Sequence, residues 1–429
     1  MKFSYMHPAE QIVLLINRIY TKQMTTTSGG NLSILDDEGD IWITPSGIDK
    51  GTLTTADICQ IKPDGTVIGK HRPSVETPFH KCVYKARPDV KAVLHAHPHS
   101  LVSFSLVGQV PNTKIIPSPH LVCGEIGFAD YDLPGSEQLG QKISDQFAKG
   151  HNVVVMENHG VVTCADNLFD AFKIFETLER CAELNIIAKQ LGEATVLNDE
   201  DIELNMEKGK ILPEEFLPID ITSQEKKARK EMCALIHRAY DQNLFTSTMG
   251  TFSQRLDQNN FLITPYGIDR KYLEPEEIVL IHNGLREKGK HPSRSVDLHK
   301  LIYDQHPEVN AIVIAHPTHM MAFGITKTPL DPRTIPESYI MIRDLVRVPY
   351  GLSILNPQAL TDKISPSTPV ILAENDFVLT VGSTLINAFD RLEVAEFTAT
   401  TILNASKIGS IDPISQDRID EIDIAFNLK

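Results

Sequence analysis

His95 and His97 stand one residue apart at the end of the apolar run Ala92-Val93-Leu94. Strand side chains alternate between faces, so residues i and i+2 point the same way. Two imidazoles on one face are placed to share a metal ion. A catalytic zinc takes three protein ligands and keeps a further position open. His159, in Glu157-Asn158-His159-Gly160, is the third candidate. It lies at a turn between two β-rich segments, and the glycine after it permits close backbone approach. Zn2+ is the expected ion. Glu76, in Pro73-Ser74-Val75-Glu76-Thr77-Pro78, is the candidate acid/base. A carboxylate beside a metal can move a proton while the metal holds a developing oxyanion. The competing reading of Glu76 is a first-turn residue favoured by the helix dipole. Ser28-Gly29-Gly30-Asn31, Thr44-Pro45-Ser46-Gly47 and Arg72-Pro73-Ser74 are small-residue segments suited to cradle an anion or hydroxyl. Each is also an ordinary turn composition. His80, His99, His120 and His151 read as surface or packing residues.

The elements that must position these residues can be read from periodicity. Ile12, Val13, Leu15, Ile16, Ile19 and Tyr20 share one face of an opening helix, with Pro8 near its first turn. Strands are expected over 32–35 and 41–44, a helix over 74–86, and strands over 92–96, 153–156 and 161–164. A long helix follows Asp166 as N-cap, with Leu168, Ala171, Phe172, Phe175 and Leu178 at helical spacing and Gly192 as its stop. Strands mixed with helices imply an α/β class.

The chain then repeats itself. INRIY at 16–20 returns as IHRAY at 236–240, and ITPSGID at 43–49 as ITPYGID at 263–269. VETPFHKCVY at 75–84 faces VDLHKLIY at 296–303, and ARPDVKAVLHAHP at 86–98 faces QHPEVNAIVIAHP at 305–317. ENHGVVT at 157–163 faces ENDFVLT at 374–380. Two domains are expected, 1–212 and 213–429, joined near Leu212 in a polar, proline-bearing stretch. In the second copy His95 becomes Ile314, His159 becomes Asp376, and Glu76 is paired with Asp297. The apolar frame persists without either histidine, which favours metal binding over a scaffold role for those in the first copy.

Net charge is −15 with no run of Lys or Arg, which argues against a nucleic-acid partner. Six scattered cysteines with no C-x-x-C pair argue for free thiols in a reducing cytoplasm. The opening MKFSYMHPAEQ lacks an apolar h-region, so no leader is expected. No run of about 18 apolar residues exists, so no membrane partner is expected.

Asn31 with Gly30, the T-P-x-G-I turn, P-S-x-E, H-x-H-P and N-H-G occur in one order along the first repeat. That set resembles the class II aldolase/adducin family, which includes fuculose-phosphate aldolase. The resemblance implies tandem α/β/α sandwiches on mostly antiparallel sheets. It implies zinc on His95, His97 and His159, Glu76 as proton carrier, and a phosphate pocket at Gly30, Asn31, Ser46, Gly47 and Ser74. Val75 replaces a serine of the aldolase motif, and Lys70, His71 and Arg72 offer charge nearby. The family's catalytic tyrosine has no secure match; His120 and Tyr131 fall in its region. The second repeat, with Thr251 at the Asn31 position and only His316 of the ligands, resembles adducin's metal-free head. The implied activity is C–C cleavage of a small ketose or ketose phosphate through a zinc-stabilised enediolate. Epimerase, dehydratase and decarboxylase chemistry, or an adducin-like interaction role, are the alternatives. Active sites between subunits imply a homodimer whose four domains close a ring.

Overall fold

The computed structural model describes residues 3–218 and 220–428. Two compact units are present. One holds residues up to Thr113 with Ser118–Glu183, and the other holds Lys114–Pro117 with residues from Leu184 onward. By contacts, residues 184–212 therefore go with the second repeat, whereas sequence similarity sets the join near Leu212.

The first repeat runs α1 (Pro8–Thr21), β1 (Asn31–Leu35), β2 (Ile41–Ile43), β3 (Cys59–Ile61), β4 (Val67–Ile68), α2 (Thr77–Ala86), β5 (Ala92–Ala96) and α3 (His99–Leu106). It continues through α4 (Pro117–Cys123), β6 (Gly127–Ala129), α5 (Glu137–Ala148), β7 (Val153–Met156), β8 (Gly160–Ala165) and α6 (Leu168–Ala188). Its strands form one sheet in the order β4-β3-β2-β1-β5-β8-β7-β6. Only the β6–β7 pair is parallel.

Alternation along β5 divides the core into two layers. Ala92, Leu94 and Ala96 face Ile12, Leu15, Ile16 and Phe175 of α1 and α6. Val93 faces Phe79 and Val83 of α2 and Ile143 and Phe147 of α5. His95 continues the second face, its ring edge-on to Phe79 with centroids 5.7 Å apart. The expected helices and strands of the site are present with small shifts. The long helix is capped by Asn167, whose side chain accepts from the Asp170 N–H, rather than by Asp166. The periodicity reading did not include β3, β4, β6, α3 and α5, which are short, or which, like α5, carry a mixed polar surface.

The second repeat contains α7 (Asp199–Met206), β9 (Glu215–Phe216), α8 (Ser223–Asp241), β10 (Thr251–Arg255), β11 (Asn260–Ile263), β12 (Val279–His282), β13 (Leu285–Glu287), α9 (Val296–Gln305), β14 (Ala311–Ala315) and α10 (Thr318–Ile325). It ends with α11 (Pro336–Ile342), β15 (Val346–Val348), α12 (Leu352–Leu355), α13 (Pro357–Thr361), β16 (Val370–Ala373), β17 (Phe377–Gly382), α14 (Leu385–Ala405) and α15 (Gln416–Ala425). Its sheet order is β15-β16-β17-β14-β10-β11-β12-β13-β9. The same connectivity recurs, with β9 added at one edge. Both repeats are thus α/β domains with mostly antiparallel central sheets. No helix among the described residues is long and apolar enough to cross a membrane.

Candidate metal centre

The end of β5 and the turn before β8 build the cluster. His95 pairs with Asn31 of β1 on one side and Val162 of β8 on the other. This places the β1 start, the H-x-H segment and the His159 turn side by side. Asn158 takes a left-handed φ of 53° at that turn, a conformation asparagine tolerates better than most residues. Gly160 follows because a Cβ there would lie 2.7 Å from both Ala96 O and His97 Cδ2. Gly30, at φ 72°, is required for a similar reason: its Cβ would lie 2.8 Å from His95 O.

One ring nitrogen from each of His95, His97 and His159 lies within 4.8 Å of the others. His95 Nδ1–H donates to Val161 O at 3.0 Å, which turns Nε2 into the cluster. His95 Nε2, His97 Nε2 and Glu76 Oε1 are buried without a hydrogen-bond partner. An unpaired buried polar atom costs about 1–3 kcal/mol, so three converging on one point fit a cation. Burial, and then the nearby His97 and His159, hold His95 well below its usual pKa. Burial lowers His97 and His159 as well, against the opposing charge of Glu76. All three are therefore neutral near pH 7, the protonation state a metal requires. Among the described residues, no other group of three or more His, Cys, Asp or Glu converges in this way.

Glu76 is the N-cap residue of α2, yet its side chain makes no capping bond. The carboxylate turns inward instead. Oε2 accepts from Asn31 Nδ2 at 2.6 Å and lies 3.3 Å from His95 Nε2; Oε1 lies 3.4 Å from His159 Nε2. The helix-dipole reading does not account for that orientation.

The two cradle loops are stitched together, with Ser46 N–H donating to Arg72 O and Ser74 N–H to Thr44 O. Those two amides are thereby committed, and Ser74 Oγ accepts from Glu76 N–H. Ser46 is half-buried, next to exposed Gly47. Val75 is 68% exposed. His71 is engaged by Asp57 at 2.9 Å. His120 bonds Thr113, and Tyr131 is exposed with its N–H donating to Glu157; neither belongs to the cluster.

The family model for the class II aldolase and adducin N-terminal domain matches residues 10–186 and again residues 230–403. The chain belongs to the class II aldolase and adducin family. The L-fuculose phosphate aldolase of Methanococcus maripaludis is similar at 31% identity over 182 residues, 97% of that protein and 42% of this chain. The 3-oxo-tetronate 4-phosphate decarboxylase of Haemophilus influenzae is similar at 32% identity over 179 residues, 85% of that protein and 41% of this chain. A solved L-fuculose 1-phosphate aldolase shares 32% identity with a TM-score of 0.43, covering 48% of this chain and 96% of that one. Each relative has about the length of one repeat.

The second class II aldolase repeat has been rebuilt around other residues. Its loop bridge Pro265–Pro292 repeats Pro45–Pro73, and His299 bonds Ser253 as His80 bonds Ser33. Counting four residues back from each of these histidines, Glu76 corresponds to Ser295. Its pairing with Asp297 is thereby corrected: Asp297 lies two residues further on, where the first repeat has Pro78, and the sequence match had inserted a gap that the backbone does not contain. The second repeat therefore lacks the carboxylate along with two of the three histidines. Phe377, buried, occupies the Gly160 position, and Lys208 Nζ lies 5.2 Å over its ring. The ammonium bonds both oxygens of Asp376, at 2.7 and 2.6 Å. Burial, then the charges of Lys208 and Arg294, hold His316 down to about 3. A phenyl ring thus stands at the position that corresponds to Gly160, and an ammonium stands beside it and beside the position of His159. Lys208→Met is expected to destabilise this unit by about 3–5 kcal/mol, because Asp376 is left buried without a counter-charge. Urea unfolding checks this; adding Asp376→Asn should recover most of the loss, and an unchanged midpoint for Lys208→Met would contradict it.

Sequence reasoning missed His80 and Lys208. His80 could have been found from a pattern kept in both repeats, Ser33 with His80 and Tyr84 against Ser253 with His299 and Tyr303. Lys208 carried no local signal.

Proposed function

We propose that the chain is a zinc-dependent lyase that cleaves a C–C bond of a small ketose phosphate. The domain within residues 1–212 carries the chemistry, and that within 213–429 is a metal-free copy. The observation that carries this reading is the convergence of three neutral imidazoles with a carboxylate at 3.3 and 3.4 Å. His95, His97 and His159 would hold the ion. When bound, the metal supplies Lewis-acid polarisation of a carbonyl and charge for an enediolate. Glu76 would deliver the proton to the carbon left by cleavage, from the face on which Asn31 anchors its other oxygen. Gly30, Asn31, Ser46, Gly47 and Ser74 would receive the phosphate. Support for a phosphorylated substrate comes from the relatives, whose names carry sugar phosphates or an oxo-acid phosphate. The missing hydroxyl at Val75 would be offset by Arg72 beside it. Two chains closing a four-domain ring remain part of the proposal.

Decarboxylation of a 3-oxo acid phosphate is the second reading, favoured by the decarboxylase relative at equal similarity. Both reactions leave a carbanion beside a carbonyl, and the same site would serve. The test is the zinc-loaded full chain with a panel of ketose 1-phosphates and 3-oxo acid phosphates. Product aldehyde and dihydroxyacetone phosphate, abolished by chelator, are expected. Carbon dioxide release without aldehyde would move the assignment to the second reading. Neither product from fully metal-loaded protein would end both.

A further inference from the structure

Behind Asn31, which anchors Glu76, stand three buried side chains that the reaction scheme above does not use: His80, Ser33 and Tyr84. Asn31 Nδ2 donates to Glu76 Oε2 at 2.6 Å. Asn31 Oδ1 is then turned to His80 Nε2. Ser33 Oγ lies 2.7 Å from His80 Nδ1, and Tyr84 OH lies 2.6 Å from Ser33 Oγ. Each member is buried.

The proton positions along this chain follow by elimination. A carboxylate only accepts, so Asn31 must present its NH2 to Glu76 and its oxygen to His80. His80 Nε2 must then carry a hydrogen. Complete burial keeps this imidazole neutral, so Nδ1 is an acceptor. Ser33 donates to it, and Tyr84 donates to Ser33. Every donor points toward Glu76.

We propose that His80 is a positioning residue for Glu76, acting through Asn31. Its Nε2–H holds the Asn31 oxygen, so the amide that donates to Glu76 is locked at both ends. In the opposite flip Asn31 would turn a carbonyl oxygen onto the carboxylate, and the base would lose the bond that sets its angle to His95 and His159.

The second repeat is an internal control. Tyr303, Ser253 and His299 keep the same arrangement, with both spacings at 2.7 Å. Thr251 stands in place of Asn31 and bonds Ser293 instead. His299 Nε2 is buried without a partner. The fold therefore retains the Tyr–Ser–His part for packing, whether or not a base is present. What the first repeat adds is the link from His80 through Asn31 to Glu76.

This inference rests on Glu76 being the proton carrier, and the experiment separates the two. His80→Leu, His80→Gln, His299→Leu, Glu76→Gln and the double variant Glu76→Gln/His80→Leu are made in the full chain. For each, zinc content, thermal stability, kcat and KM are measured. His80→Leu is expected to lower kcat by about 10–100-fold, the usual loss for a residue behind a metal-site group, with zinc content and KM unchanged. His299→Leu should lose similar stability and no kcat. Gln at position 80 retains an N–H near Nε2 and should restore most of kcat. The double variant should be no slower than Glu76→Gln alone, because residues acting as one unit are not additive. In nitrogen-15 spectra of the metal-free protein, His80 should be the Nε2–H tautomer. If Glu76→Gln keeps its turnover, the base assignment fails. If Glu76→Gln is slow but His80→Leu keeps wild-type kcat, positioning alone fails. Loss of zinc in His80→Leu, or an Nδ1–H tautomer, also overturns it.

Discussion

Glu76→Gln is expected to keep its zinc and to turn over about 100-fold or more slowly, the loss typical of removing a general base. The carboxylate is not needed to assemble the three imidazoles. His95 is fixed by its bond to Val161 O, and its strand by pairing with β1 and β8. Glutamine has nearly the same shape, and Asn31 Nδ2–H selects its oxygen, so an NH2 group is turned toward His159. That group neither accepts nor delivers the proton. Steady-state kcat, measured together with metal content by plasma mass spectrometry, checks both halves. Full turnover with zinc retained would remove Glu76 from the mechanism. Lost zinc would make it a ligand instead.

His95→Ala is expected to take the protein from about one zinc per chain to background. Its turnover should fall on the order of 1,000-fold, since metal polarisation supplies several kcal/mol of transition-state stabilisation. His95 is completely buried, and only its Nδ1 is satisfied by the protein. Loss of the ring thus removes a candidate ligand and the side-chain bond to Val161 O. Misfolding is the obvious confounder, and the chain supplies its own remedy. Ile314 occupies the same strand position in the second repeat and is buried there. His95→Ile should therefore fold with wild-type stability while binding no zinc. Zinc retained in either variant would place the metal elsewhere, and a wild type that takes up no zinc on reconstitution would end the mechanism.

The two repeats separate what local sequence encodes from what it does not. The H-x-H pair was legible because strand periodicity is a property of adjacent peptide units, and β5 obeys it: Val93 and His95 lie on one face, Leu94 and Ala96 on the other. His159 was legible because Gly160 recorded a steric requirement in the residue itself. The shared frame of the repeats exposed the missing ligands, since Ile314 and Asp376 stand where the strands still align.

The partner of Glu76 in the second repeat was misread for the opposite reason. Matching V-E against V-D is a resemblance of letters, whereas the register is set by the Pro265–Pro292 bridge and by His299 reaching Ser253. His80 looked like a packing residue because its consequence lies across the sheet, through an asparagine 49 positions earlier in the chain. Lys208 was invisible because it reaches Asp376 over 168 residues. By itself the sequence determined the fold class, the duplication, the three histidines and the carboxylate, all carried by short-range periodicity or by motif order. Only the tertiary structure decided which way Glu76 faces, what holds it there, and what fills the second site. Those are outcomes of packing between segments far apart in the chain, where a buried polar group must find its partner wherever the fold brings one.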